Sequence, residues 1–164
     1  MEVKIRKATP KDAKNISYIW EVICAEMIYT AVDKPFTTQQ EREYISSLSE
    51  REAIFVAEVN NKIVGFQSLD LWSKILTSFK HVGVIGTFIL PDLRGTGISY
   101  VLANHTFNFA RANDYTKIVI YIRKGNERAI KFYQNLGFII KGELEEQVNI
   151  NGYFENEVFM EKFL

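Results

Sequence analysis

The chain has 164 residues, enough for one ordinary domain and too few for two of the usual size. Its 20 Lys and Arg balance its 20 Asp and Glu, which excludes a general polycation gripping nucleic acid or an anionic membrane. With 47% hydrophobic residues it can bury a real core, and its single cysteine, Cys24, excludes an intrachain disulfide. Met1 to Lys7 alternates charged and apolar residues instead of running into an apolar signal core. No Cys/His set has zinc-ligand spacing. The least charged stretch, Thr96 to Ala110, carries Asn104, His105, Thr106 and Asn108 and so reads as no membrane span. The expectation is a soluble, cytoplasmic, metal-free protein, with residues 1–164 forming one α/β domain.

In chain order, Val3 and Ile5 alternate with charged residues as in a half-buried strand. Thr9-Pro10-Lys11-Asp12 follows the capping-box pattern with proline at the first helical position. Ile16, Ile19, Trp20, Ile23 and Met27 then predict a helix to about Tyr29. After a loop over 31–37, Thr38-Gln39-Gln40-Glu41 is a second capping box, opening a shorter helix that ends before Ala53. Strands over 53–59 and 62–66 flank Asn60-Asn61, a dipeptide that tolerates positive φ and suits a two-residue hairpin. Trp72 to His81 reads as a longer loop. Val82 to Leu90 is nearly all apolar, as a central strand covered on both faces should be. Pro91 to Gly97 stops it, and a helix from about Ile98 turns Ile98, Val101, Leu102, Phe109 and Ala112 inward. Ile118 to Ile122 is another buried strand, and a helix over 127–136 ends at Gly137. Strands over 138–144 and 154–160 close the chain, with a hairpin over 149–157 before the last.

Two motifs carry chemistry. The first is strand, then Arg94-Gly95-Thr96-Gly97-Ile98-Ser99, then helix. Glycines there let several backbone N–H groups turn inward, and the helix start adds unpaired donors and its positive dipole end, so the turn can cradle a pyrophosphate. A plain strand-to-helix turn would use the same glycines. There is no Gly-Lys-Ser/Thr ending and no Gly-x-Gly-x-x-Gly, which disfavours a Walker loop or a dinucleotide fingerprint. The second motif is Asn126, then Ala129, Phe132, Tyr133 and Leu136 at helical spacing before Gly137-Phe138. Asn126 could simply cap its helix, and Tyr133, adjacent to Phe132, either faces a cleft or is a half-buried aromatic with a solvated hydroxyl.

Together Arg94-x-x-Gly97-x-Ser99 and Asn126-x-x-Ala129-Ile130-x-x-Tyr133-x-x-x-Gly137-Phe138 resemble, in order and spacing, the Gcn5-related N-acetyltransferase superfamily. The resemblance implies the acyl-CoA N-acyltransferase fold: an α/β (α+β) single domain with a mixed, twisted central sheet and helices on both faces. It implies acetyl-CoA as cosubstrate, its pyrophosphate held by the backbone amides of Gly95, Thr96, Gly97, Ile98, Ser99 and Tyr100 beside Arg94. Thr87, Phe88 and Ile89 would pair with the pantetheine amides, and Asn126 would lie near that arm. Tyr133 would donate a proton to the departing sulfur, as a phenol with pKa about 10 can towards a thiolate with pKa about 8.5.

The sequence departs from the family in two places. Ser99 stands where a small Gly or Ala is usual, adding either a phosphate contact or a cap. Strand 82–90 holds no carboxylate, and Tyr121 stands where some relatives place glutamate. An ammonium with pKa about 10.4 is neutral in roughly one molecule in 10³ at pH 7, so a base is needed. Water relayed to Glu26, Asp33, Glu143, Glu145, Glu146 or Glu155 is one route, though each also reads as a surface charge. His105 and His81 read as structural and surface residues, and Cys24 as packing. Trp20, Tyr29 and Phe36 flank the region where the family builds its acceptor site. The expected activity is acetylation of a small amine, amino acid or polyamine by direct attack in a ternary complex, with no nucleic-acid or membrane partner and a homodimer as a further expectation. A protein N-terminal or lysine acetyltransferase is the alternative within the family. A non-catalytic acyl-CoA-binding regulatory module and a different nucleotide binder are alternatives outside it.

Overall fold

A computed structural model describes residues 2–164; Met1, the start of the alternating N-terminal segment, lies outside them. The elements are β1 (Lys4–Lys7), α1 (Ala13–Glu26), α2 (Thr38–Ser47), β2 (Ala53–Val59), β3 (Lys62–Leu71), β4 (Val82–Ile89), α3 (Ile98–Ala112), β5 (Lys117–Arg123), α4 (Glu127–Asn135), β6 (Ile139–Ile150) and β7 (Tyr153–Phe163). The strands form one sheet in the order β1-β2-β3-β4-β5-β7-β6. Every neighbouring pair is antiparallel except β4 and β5, so the sheet is mixed as expected. On one face α1 and α2 pack Ile16, Ile19, Trp20 and Ile45 against Ile54, Val56 and Phe66. On the other, α3 and α4 cover Leu69, Ile85, Ile118 and Ile120, with Ile98 and Leu102 over Phe55 and Ala57.

Local chemistry explains most boundaries. Asn60 and Asn61 take φ values of 50° and 62°, as a tight hairpin requires. Asp12 Oδ2 accepts from the Thr9 N–H at 2.8 Å, and a 3-10 turn at Pro10–Asp12 leads into α1. The first helix stops at Glu26 rather than Tyr29, because Met27 turns left-handed (φ 59°). Tertiary bonds hold that exit: Arg123 Nη1 donates to the carbonyls of Met27 and Thr30 at 2.8 and 3.1 Å. The cap of α2 is Thr37 rather than Thr38. Its Oγ1 accepts from the Gln40 N–H, and Gln40 Oε1 accepts from the Thr37 N–H. That shift of one residue releases Glu41 from capping and sends it inward.

Along α3 the buried row is Ile98, Leu102, Ala103, Thr106, Phe107 and Ala110. Val101 and Ala112, expected inward, are exposed, because a helix turns about 100° per residue and both fall outside this stripe. His105 is also exposed, with its ring edge-on to Phe55 at 4.6 Å. The feature that matters most lies at the centre of the sheet. Parallel β4 and β5 pair only over Val82–Val84 and Lys117–Val119, then part company. Beyond that point β5 stays bonded to β7 along its whole length, while β4 stays bonded to β3.

Candidate active site

The parting of β4 from β5 exposes strand backbone. Leu90 N–H donates to Val64 O, so the antiparallel alternation turns the N–H and C=O of Thr87 and Ile89, beyond the last residues paired with β5, away from β3 and towards the gap. The gap opens into a cleft of about 320 Å³ between the end of β4, the glycine turn and α4. Of the residues singled out in the sequence, Thr87, Phe88, Ile89, Arg94, Gly95, Gly97, Ser99, Tyr100, Asn126 and Tyr133 line it. Thr96 and Ile98 do not: Thr96 Oγ1 donates to Leu93 O within the turn, and the Ile98 side chain is buried in the core.

Gly95 and Gly97 have φ of 80° and 91°, the left-handed region where a Cβ is penalised. As the cap of α3, Gly97 offers no side-chain acceptor, so the N–H groups that open the helix ahead of Tyr100 are left for an anion, whereas the Tyr100 N–H, expected to join them, already donates to Gly97 O at 3.0 Å. Two guanidinium groups stand nearby but in different states. Arg94 is bound: Nη1 and Nη2 donate to the two Glu26 carboxylate oxygens at 2.8 and 2.6 Å, and Nε donates to Ile89 O at 3.1 Å. Its guanidinium also lies over the Tyr29 ring, so Arg94 braces the cleft wall. Arg128, which sequence reasoning missed, lines the cleft so close to Gly95 that a methyl group there would come within 2.8 Å of Nη2. It forms no ion pair among the described residues. Its exposed position two residues past a cap carries no pattern that would announce it.

Asn126 does cap α4, accepting from the Ala129 N–H at 3.2 Å, and its amide also donates to Tyr29 O at 3.3 Å. Further along the helix, Tyr133 is buried, between Phe132 and Phe138 at ring distances of 5.0 and 5.2 Å. Its hydroxyl meets Thr87 Oγ1 at 2.5 Å, and Gln67 Nε2 donates to the same Thr87 oxygen at 2.6 Å. Gln67 occupies one Thr87 lone pair, so Thr87 can hand its own hydrogen to Tyr133 and leave the phenol hydrogen for the cleft. Burial pushes the Tyr133 phenol well above its ordinary value, so it keeps its proton across the neutral range. Buried Gln67 on β3 is thus the second residue that the sequence did not reveal.

A second cavity, about 540 Å³, lies on the opposite face of β4 beneath α1 and α2. Phe88 lines both spaces, its ring 4.3 Å from that of Trp20 and 5.0 Å from that of Phe66. Trp20 and Phe36 border the second cavity, whereas Tyr29 borders the cleft. Two carboxylates stand out there. Glu41 Oε1 accepts from Trp20 Nε1 at 2.8 Å, and Asp70 accepts from the Tyr44 hydroxyl. Burial pushes both carboxyls up from the usual carboxylate range. The carboxylates that the sequence offered as ends of a water relay fare differently. Glu26, Glu143 and Glu155 are held by Arg94, Lys124 and Arg123, and Asp33, Glu145 and Glu146 line neither space. His81 is exposed and lines neither, and the Cys24 thiol is buried and pushed up by that burial.

Comparison with known proteins follows the same outline. A model of the acetyltransferase (GNAT) family matches residues 16–138. The chain is 31% identical over 125 residues to an uncharacterized N-acetyltransferase of Methanocaldococcus jannaschii, covering 71% of this chain and 55% of that one. It is 25% identical over 145 residues to the peptidyl-lysine N-acetyltransferase YjaB of Escherichia coli K12, covering 88% of each. It is 31% identical over 123 residues to the spermidine N(1)-acetyltransferase of the same strain, covering 72% of this chain and 61% of that one. The chain therefore spans little more than half the length of two of these relatives. In fold it is similar to a phosphinothricin acetyltransferase of Sinorhizobium meliloti solved with acetyl-CoA, at TM-score 0.92 and 18% identity over all of this chain and 89% of that one.

Proposed function

Since the chain belongs to the GNAT acetyltransferase family, we propose that residues 1–164 act as one catalytic domain that acetylates a small amine from acetyl-CoA. The observation that carries the reading is Tyr133, whose buried hydroxyl borders a cleft that also receives the open N-terminus of α3. The cleft suits the cosubstrate at both ends: uncapped amides with Arg128 beside Gly95 for the pyrophosphate, and the backbone of Thr87 with the N–H of Ile89, whose carbonyl Arg94 already holds, for an amide-bearing arm. Acetyl-CoA supplies an activated acyl group.

The chain's own residues do the rest. Backbone donors of β4 at the gap orient the thioester carbonyl and favour negative charge on its oxygen. The neutral amine enters from the α1–α2 side, through the space that Phe88 borders, and its nitrogen forms a bond to the acetyl carbon as the carbon–sulfur bond breaks. Tyr133 passes its proton to the leaving sulfur, the nitrogen's proton leaves to water, and water returns a proton to Tyr133, so one proton moves in net from nitrogen to sulfur. A metal-free cytoplasmic enzyme remains part of the proposal. So does a homodimer: β6 is the outer strand of the sheet, and Ile139, Ile140 and Leu144 on it are exposed. The test is a thermal-shift screen with acetyl-CoA, CoA, ATP and NAD, followed by thiol release against an amine panel. Stabilisation by CoA species alone, with thiol release, is the expected result. Protection by ATP or NAD but not CoA would overturn the reading, and CoA binding without thiol release would favour a regulatory module.

A further inference from the structure

Among the described residues, the second cavity is lined by three carboxylates, Glu41 and Glu43 from α2 and Asp70 from β3, and by no lysine or arginine. Glu41 is only 4% exposed; one oxygen is taken by Trp20, and Oε2 has no hydrogen-bond partner among the described residues. A carboxylate oxygen that has lost its water and gained no donor is costly, and the molecule keeps it at the wall of an open space. Asp70, across the cavity, is half-buried, with the Tyr44 hydroxyl as its partner. Gly86 on β4 keeps a side chain out of the stretch between these acids and Phe88, for a methyl group there would press on the Phe88 ring at 3.0 Å.

We propose that this cavity seats the acceptor as a small di- or polyamine, with a distal ammonium donating to Glu41 Oε2 and to Asp70 while the terminal nitrogen reaches the gap beside Phe88. The inference rests on the acetyltransferase reading and narrows its acceptor. Charge separates the candidates. The attacking nitrogen must be neutral, so an amine with one nitrogen, a lysine side chain included, arrives with no charge left for the acids. An amino acid brings a carboxylate to a wall that already holds three and offers it no cation. A diamine meets both demands, keeping one ammonium for the wall while the other nitrogen, deprotonated, attacks.

The experiment compares kcat/KM for 1,4-diaminobutane and spermidine with that for n-butylamine, glutamate and a lysyl peptide, at saturating acetyl-CoA. The diamines should exceed n-butylamine by about tenfold or more, the size expected of one charged hydrogen bond. Glu41→Gln and Asp70→Asn should each raise KM for 1,4-diaminobutane by about tenfold or more, shrink its lead over n-butylamine, and leave KM for acetyl-CoA unchanged. Should Glu41→Gln fail to fold, Asp70→Asn and calorimetric binding of 1,4-diaminobutane to the CoA-bound wild type read the same preference. Equal or better turnover of n-butylamine, glutamate or the peptide, or variants that retain the diamine preference, would overturn the inference while leaving the acetyltransferase intact. No thiol release with any amine would instead bring down the reading beneath it.

Discussion

The acid role proposed for Tyr133 rests on surroundings that keep its phenol neutral and fix its hydroxyl against Thr87. Replacing Tyr133 with phenylalanine removes the proton and little else, since Phe132 and Phe138 still pack the ring. Thiol release from Tyr133→Phe should fall by about 10²-fold or more, while calorimetry finds acetyl-CoA binding within a factor of about two. Unchanged turnover would remove Tyr133 from the chemistry. Asp70, by contrast, bears on stability. Burial holds its folded-state pKa above the ordinary value of about 3.9, so the folded chain grips that proton more tightly than the unfolded one. Its contribution is therefore most favourable below the ordinary pKa and is lost as pH rises through the folded value. Asp70→Asn should raise Tm at pH 7, by about 2–4 °C for each kcal/mol relieved, and leave it unchanged in strong acid. Melting curves at the two pH values check this; a lower Tm at pH 7 would show that the charge is already compensated.

Among the elements, the turn between β4 and α3 is the most exacting. Beyond its own chain neighbours and helix backbone, Gly97 has no heavy atom of the described residues within 4 Å of where a Cβ would sit, so Gly97→Ala tests backbone conformation without a clash. The left-handed φ should cost about 1–2 kcal/mol, visible in chemical denaturation, and acetyl-CoA should bind more weakly as the amides tilt. Such turns were readable in the sequence, because glycine pairs, asparagine pairs and apolar runs state their backbone needs locally. The apolar run of β4, the Asn60-Asn61 hairpin, the cap at Asn126 and the stop at Gly137 were all legible for that reason. Where two neighbours could do one job, the sequence pointed to the wrong one: Thr38 for Thr37, with Gln40 deciding by its hydrogen bonds. Gln67, Arg128, Glu41 and Asp70 were illegible because their roles arise only when separate elements meet. Gln67 reads as one polar residue in a strand until β4 and α4 bring Thr87 and Tyr133 to it.

At the scale of the whole molecule, two sets of acids pull stability in opposite directions. Asp12 is held below the usual carboxylate range by hydrogen bonds from Arg6, against its own burial, so its contribution is present above about pH 4 and lost as acid protonates it. Asp12→Asn should therefore lower Tm at pH 7 and flatten its fall in acid, a pattern opposite to that of Asp70→Asn. The three-residue pairing of β4 with β5 has a larger consequence. It leaves β1 to β4 and β5 to β7 as two hydrogen-bonded blocks, joined at the sheet by one short seam and otherwise by side chains such as Tyr133 on Thr87 and Arg123 on the 27–30 loop. Blocks joined in this way can open separately, as independent cooperative units in native-state hydrogen exchange. A ligand whose arm bonds to the strand edge in the gap would knit them into one. Amide exchange of β5 to β7 should then differ in opening free energy from that of β2 to β4 in the free protein, and the two should converge when acetyl-CoA is bound. On the proposed function, the same divergence would make the cosubstrate a missing length of β-sheet, and its departure at the end of each turnover a partial loosening of the fold.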